Sequence, residues 1–451
     1  MKIAIENFGA IKKRVEIEPR PLTIFCGSNN TGKTYVLYVL NALMDSRFIA
    51  SFDWAVQHAK KLLDERSLSV SLLDWLGDKA LQQAERSIAH GLKSALSRFF
   101  VADSVLTHAA QFSVSLSRDE LLPRVRPFDF SIGIGGKKSP AEFSCRLSED
   151  KESIELKLTG DWTEKNLIER VLHETMMEFY LPIRRGRTML LPAERSGINL
   201  FFRELNSRRA ALLRHVTSQT LDTNELLKDI IVSRYPQPIH DYIEFMNAQP
   251  EIKRQKSEDF AELATWLQKE VLCVKYKVDR YGDISISPLR NSTEMGLHLG
   301  SSTAKTFFGL WSYLNHLAQK GDCLMIDEPE LNLHPRNQLA IARLLASLVN
   351  RGLRVIVSTH SDYMVREWGN LVMLGEPFDG RDALTQRHGL DASQWLKATD
   401  VSAYEFDEGA ACPMLVSAET GISTRLFDES IERVNAAAQE IFFARQEAAN
   451  T

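Results

Sequence analysis

Gly27 and Gly32 bracket four small or polar residues, Ser28-Asn29-Asn30-Thr31, and Lys33 and Thr34 follow at once. A turn of this composition leaves backbone N–H groups uncovered, and a lysine at the start of the next helix brings a cation to the same point. That combination suits phosphate. The N–H groups cradle oxygens, Lys33 neutralises the outer phosphates, and the Thr34 hydroxyl is available to a divalent cation. Further along, the apolar run Cys323-Leu324-Met325-Ile326 delivers Asp327 and Glu328 to its end. Alone, such a pair reads as a solvated acidic turn. Beside a phosphate loop, Asp327 suits a cation held through water, and Glu328 suits polarising an attacking water. A second apolar run, Arg354-Val355-Ile356-Val357-Ser358-Thr359, ends on His360.

These groups need a sheet to bring them together. Residues 1–26 alternate apolar and polar (Ile3, Ile5, Phe8; Val15, Ile17; Leu22, Ile24, Cys26), which is strand spacing. The run Tyr35 to Leu43 reads as a buried helix after the glycine turn. Over 52–100, Leu73, Leu76, Ala80, Ala84, Ile88, Leu92, Ala95 and Phe99 recur at helical spacing. Between 111 and 158 the period changes to two, giving four expected strands around Val114, Phe128–Ile134, Cys145 and Leu156. Helix returns over 164–180, a short strand over Thr188–Leu191, and mostly helix to about residue 270. A hairpin is expected across Arg280-Tyr281-Gly282. Strands at Cys323–Ile326 and Arg354–Ser358 around a helix at Gln338–Val349 imply parallel pairing. The expected fold is α/β: a mixed sheet with flanking helices, an N-terminal antiparallel β-subdomain, and a helical and β-hairpin insert. The expected division is 1–44 with 271–451 as one head, and 45–270 as the insert.

The order of motifs resembles the ABC-type ATPases of the RecF, SMC and overcoming-lysogenisation-defect (OLD) branch. The segment Asp327-Glu328-Pro329-Glu330-Leu331-Asn332-Leu333-His334-Pro335, followed by Ser358-Thr359-His360, is similar to OLD-type prokaryotic defence ATPases in particular. The resemblance is tight over 1–44 and about 271–375 and loose between. It implies ATP and Mg²⁺, with Gly27, Asn29, Asn30, Gly32, Lys33 and Thr34 around the nucleotide, Thr34 and Asp327 on the metal, Glu328 catalytic, and His360 sensing the γ-phosphate. It also implies a helix start that caps the γ-phosphate of an opposing subunit. The matching place is Leu299-Gly300-Ser301-Ser302, where serines replace the family's paired glycines. An ordinary serine N-cap is the other reading of that turn. The family's nucleotide-linking glutamine has four candidates, Gln57, Gln82, Gln83 and Gln111. In Leu191-Pro192-Ala193-Glu194-Arg195-Ser196-Gly197, Arg195 either approaches a phosphate or pairs with Glu194.

Composition narrows the function. The 451 residues carry a net charge of −4, so any contact with DNA needs a local basic patch. Five scattered cysteines without a CxxC pair disfavour a disulfide framework or zinc site. The first residues lack the apolar core of a leader, and no stretch is long enough to span a bilayer, so a reduced, cytoplasmic protein without membrane contact is expected. OLD proteins carry a toprim nuclease after the histidine, whereas residues 361–451 show no such acidic cluster, and Asp400, Glu405, Asp407 and Glu408 read as surface charge. The expectation is a slow, regulatory ATPase that pairs head to tail with itself, or forms a higher oligomer. It would control a separate effector, such as a nuclease, in anti-phage defence. The alternative is a RecF/SMC-like DNA-binding ATPase of repair or chromosome maintenance.

Overall fold

Alternating residues become strands largely where the pattern asks for them in the computed structural model, which describes residues 1–101, 107–125, 129–134, 141–149, 152–184, 186–204, 235–290 and 293–449. β1 (Lys2–Glu6), β2 (Val15–Ile17) and β3 (Leu22–Gly27) precede α1 (Lys33–Met44). The helical stretch gives α2 (Asp53–Glu65), α3 (Leu72–Leu76) and α4 (Asp78–Phe99). It also holds an unexpected strand, β4 (Ser67–Ser71), whose Leu68 and Val70 face inward while its serines face out. β5 (Gln111–Ser115), β6 (Asp129–Ile134), β7 (Ala141–Leu147) and β8 (Ser153–Thr159) are the four expected strands. Phe128 lies outside the described residues. A helix over Arg118–Val125, not anticipated, is α5; its first turn carries Asp119 and Glu120, which favour a helix start.

After α6 (Lys165–Tyr180), β9 forms at Thr188–Leu191, followed by a helix over 195–204, α7. α8 (Gln237–Asn247) and α9 (Ala261–Trp266) lead to the hairpin β10 (Val274–Val278) and β11 (Ile284–Pro288), which β12 (Met295–Gly296) extends. Next come α10 (Ser302–His316), β13 (Cys323–Asp327), α11 (Pro335–Asn350), β14 (Arg354–Thr359) and α12 (Asp362–Met373). Last are β15 (Val401–Asp407), β16 (Ala410–Pro413) and the 25-residue α13 (Arg425–Ala449).

The chain forms two compact units. One comprises 1–19, 38–188 and 234–237; the other comprises 20–37, 189–233 and 238–451. In the first, β1 pairs antiparallel with β2 and β5, and β4-β8-β7-β6 form a separate antiparallel sheet. In the second, six strands lie in the order β16-β15-β3-β14-β13-β9. β15, β3, β14 and β13 run parallel, and β16 is antiparallel to β15. All six residues of β3 are buried, which is the mark of a strand covered on both faces. The observed fold is therefore the α/β arrangement with a mixed sheet, flanking helices and an N-terminal antiparallel sheet. Among the described residues, no helix is long and apolar enough to cross a membrane.

Register explains the site. Asp327 pairs with Ser358, and Thr359 with Cys26, so Gly27, Glu328 and His360 leave the sheet at the same edge. Ligands bind at that carboxyl edge in open parallel sheets.

Candidate functional site

The glycine turn is held by close approach. Gly27 has φ of 128°, and a Cβ there would lie 2.1 Å from the Phe406 carbonyl oxygen on β15. No other residue fits. Gly32 (φ 105°) and Asn30 (φ 58°) take the remaining left-handed positions, with asparagine being the side-chain-bearing residue that tolerates this best. Thr31 Oγ1 donates to the Ser28 carbonyl at 2.8 Å and closes the turn.

Within the turn, Lys33 Nζ donates to the carbonyls of Gly27 at 3.1 Å and Ser28 at 2.6 Å. It is 5% exposed. Burial lowers its pKa, and the charges of Glu328 and Asp327 oppose that shift. The cation therefore sits ready, held by carbonyls it can exchange for phosphate oxygens.

Asp327, at the end of β13, is almost fully buried and accepts from Thr34 Oγ1 at 3.0 Å and from Ser358 Oγ. Burial pushes its pKa up to about 6, against the pull of the two hydroxyls. A hydroxyl and a carboxylate in contact are hard oxygen donors, so the pair fits a small divalent cation. Glu328 is half-buried with φ of 51°, an uncommon backbone state for a non-glycine residue. Its N–H donates to the Ser358 carbonyl at 2.9 Å, and its Oε1 lies 3.6 Å from His360 Nε2. The His360 N–H and the Thr359 hydroxyl donate to Glu330, at 2.5 and 2.9 Å. Burial and the nearby Lys33 charge lower the pKa of His360, favouring the neutral ring.

Asn29, Asn30, Gly32, Lys33, Thr34, Asp327, Glu328 and His360 therefore line one cavity of about 200 Å³, together with Thr31 and Tyr35. Gly27 is not in the lining and reaches the site through its carbonyl, which accepts from Lys33. Ser301 and Ser302 do not line it; both are exposed at the start of α10. Ser301 is the N-cap, its Oγ accepting the Ala304 N–H at 3.1 Å, so the ordinary capping role is real. Gln57, Gln82, Gln83 and Gln111 belong to the other compact unit, and none lines the cavity.

Arg195 does not line the cavity, and among the described residues it forms no ion pair with Glu194. It is 1% exposed at the start of α7, and its guanidinium donates to the carbonyls of Pro192 (3.0 Å), Asp327 (2.6 Å) and Glu328 (2.7 Å). The planar fork thus fixes the backbone that presents both carboxylates. One turn further along α7, Asn199 donates to the Lys305 carbonyl at 2.6 Å and accepts from Tyr242 at 2.8 Å, tying the same helix to α10. Asn332 makes a second tie, its carbonyl accepting from Thr303 and its amide donating to Thr306. Glu405 is also corrected: it is buried on β15, beside the strand that carries the turn. Its neighbours Asp407 and Glu408 are half-buried and exposed.

Three solved SMC heads match over most of their length. One, bound to the C-winged helix domain of ScpA, is 14% identical with a TM-score of 0.39, over 93% of this chain and 97% of that one. The head from Thermotoga maritima is 11% identical with a TM-score of 0.29, over 92% and 98%. The Pyrococcus furiosus head, bound to the C-terminal domain of ScpA, is 12% identical with a TM-score of 0.32, over 98% of each chain. The overall superposition is loose in every case. No curated protein sequence gives a significant match. The model of the AAA ATPase domain, in contrast, matches residues 1–365, well over half of the chain, and this protein belongs to that family.

Proposed function

We propose that the chain is an ABC-type ATP switch that closes head to tail on a second copy and controls a separate effector, such as a nuclease, in prokaryotic anti-phage defence. The observation that carries the switch is the split between the cavity and the exposed Ser301-Ser302 helix start. A helix N-terminus is an anion site, and this one does not line its own chain's phosphate cavity. A second copy supplies it. In this reading the turn N–H groups and Lys33 bind the β- and γ-phosphates of ATP, and Thr34 and Asp327 hold Mg²⁺. The metal, when bound, offsets charge on the phosphate oxygens. Glu328 orients and polarises the attacking water, and neutral His360 reports the γ-phosphate. Arg195 keeps the Asp327–Glu328 backbone rigid while this happens.

The defence role rests on the OLD-like segment 327–335. A RecF- or SMC-like DNA clamp is the competing role. It calls for ATP-dependent DNA binding that weakens steeply with salt.

Sedimentation of the Glu328→Gln chain tests the switch. With ATP and Mg²⁺ it is expected to move from monomer to dimer or a larger assembly, and Ser302→Arg, placed on the capping helix, is expected to prevent this. An unchanged sedimentation coefficient for Glu328→Gln across saturating ATP contradicts the head-to-tail closure.

A further inference from the structure

A second polar cavity, of about 520 Å³, lies wholly within the unit that does not hold the phosphate turn. That is a usual volume for a small-molecule site. One wall is α4 and the other is the segment 47–53. On α4, Arg86, His90, Ser94 and Arg98 stand four residues apart and so follow one face, with about 6 Å of rise between neighbours. Gly91 brings the walls together: a Cβ there would meet Phe48 at 3.2 Å and Ala50 at 3.3 Å.

The facing segment is fixed at both ends. Buried Arg184 donates to the Phe48 carbonyl at 2.7 Å, and the Phe52 N–H donates to His173 Nδ1 at 3.1 Å. Asp53 accepts from Gln83 at 2.7 Å, while Phe48 meets Gly91, so the segment runs antiparallel to α4. The cavity is therefore polarised. Asp53 marks one end, and Arg47, Ser94 and Arg98 fall toward the other. Asp45 holds Arg47 in a two-armed ion pair, accepting from Nε at 2.8 and 3.0 Å and from Nη2 at 2.5 Å, which orients Arg47 and engages that edge of its fork; Arg98 and Ser94 are then the principal donors at this end. Among the described residues, neither Arg86 nor Arg98 forms an ion pair.

We propose that this cavity binds a phosphate-bearing small molecule, with its phosphate between Arg47, Ser94 and Arg98 and a hydroxyl-bearing end toward Asp53. Guanidinium forks and a serine hydroxyl are the donors that phosphate oxygens require. A carboxylate at the far end accepts from a hydroxyl and repels a continuous phosphate backbone, which disfavours a nucleic-acid strand. Of the two aromatic rings in the lining, Phe48 is buried and His90 is exposed, so it is the Asp53 carboxylate that sets this cavity against a nucleic-acid strand. The proposal does not depend on the ATP reading.

The test uses the full chain carrying Lys33→Ala, which disables the phosphate turn, with inorganic pyrophosphate as the calorimetric probe. Saturable binding is expected, weakened about tenfold or more by Arg98→Gln, the loss of one charge-assisted contact. Ser94→Asp is expected to give a similar loss, and Arg14→Gln, an exposed arginine elsewhere, none. Circular dichroism confirms that the variants fold. Absence of pyrophosphate binding to the Lys33→Ala chain overturns the proposal, as does binding indifferent to both Arg98→Gln and Ser94→Asp. A thymidine oligonucleotide that binds more tightly than pyrophosphate, and loses that binding in Arg98→Gln, also overturns it by assigning the groove to a strand.

Discussion

Asp327 shows how a single residue couples the chemistry to stability. Its buried carboxyl holds a proton up to about pH 6, whereas an unfolded aspartate releases it near 3.8. Between those values the folded chain binds more protons than the unfolded one, so this residue's contribution falls as pH rises from about 4 to 6 and stays low above that. Asp327→Asn is therefore expected to raise ligand-free stability at pH 7.5, on the order of 1–3 kcal/mol, while leaving it little changed at pH 4. Denaturant titration at the two pH values checks this; equal shifts at both would show that burial does not govern the residue. Lys33→Ala is expected to weaken ATP binding by about a hundredfold, as a charge-assisted contact within a buried turn is lost. Equilibrium binding of a fluorescent ATP analogue reads that directly. At this scale the sequence was informative: Lys33 and Thr34 after the glycine turn, and the strand-end residues Asp327, Glu328 and His360, line one cavity.

Elements were less legible than residues. The phosphate strand β3, its neighbour β14 and the next strand β13 could be read from apolar runs ending in polar residues. β15 escaped because Val401-Ser402-Ala403-Tyr404-Glu405-Phe406 carries a glutamate that looks like surface, although it is buried beside β3. β4 escaped because its alternation spans only five residues between helices. Arg195 escaped for a different reason. Two of its three partners are carbonyl oxygens of residues distant in sequence, and backbone acceptors leave no compositional trace. Its replacement is informative for the same reason. Arg195→Ala takes the guanidinium from the Asp327 carbonyl, while the Pro192 and Glu328 carbonyls keep the backbone N–H groups of residue 195 and Leu331, and it is expected to cost on the order of 1–3 kcal/mol. Arg195→Lys keeps the charge but cannot supply the planar fork. It is expected to retain ATP binding while lowering turnover about tenfold or more, because both carboxylates lose their fixed backbone. Turnover equal to wild type in a folded Arg195→Lys chain contradicts the positioning role.

At the scale of the whole molecule, the account makes the phosphate turn one half of a site and the exposed start of α10 the other. Two ties, Asn199 to Lys305 and Asn332 to Thr303 and Thr306, connect that helix to the segments beside Asp327 and Glu328. In the proposed switch they are the route by which ATP in the cavity is felt at the start of α10. In the proposed closure α10 meets the second copy, so Ser302→Arg is expected to lower turnover without weakening the first ATP; binding and phosphate release measured on one preparation separate the two effects. The central claim is that Glu328 activates water in a cavity whose nucleotide-binding parts are independent of it. The most direct measurement is phosphate release and ATP affinity for the wild-type and Glu328→Gln chains, side by side. Release slower by about a hundredfold or more, with ATP affinity unchanged or tighter, is the predicted result. Equal release rates, or an affinity lost together with the rate, contradict it.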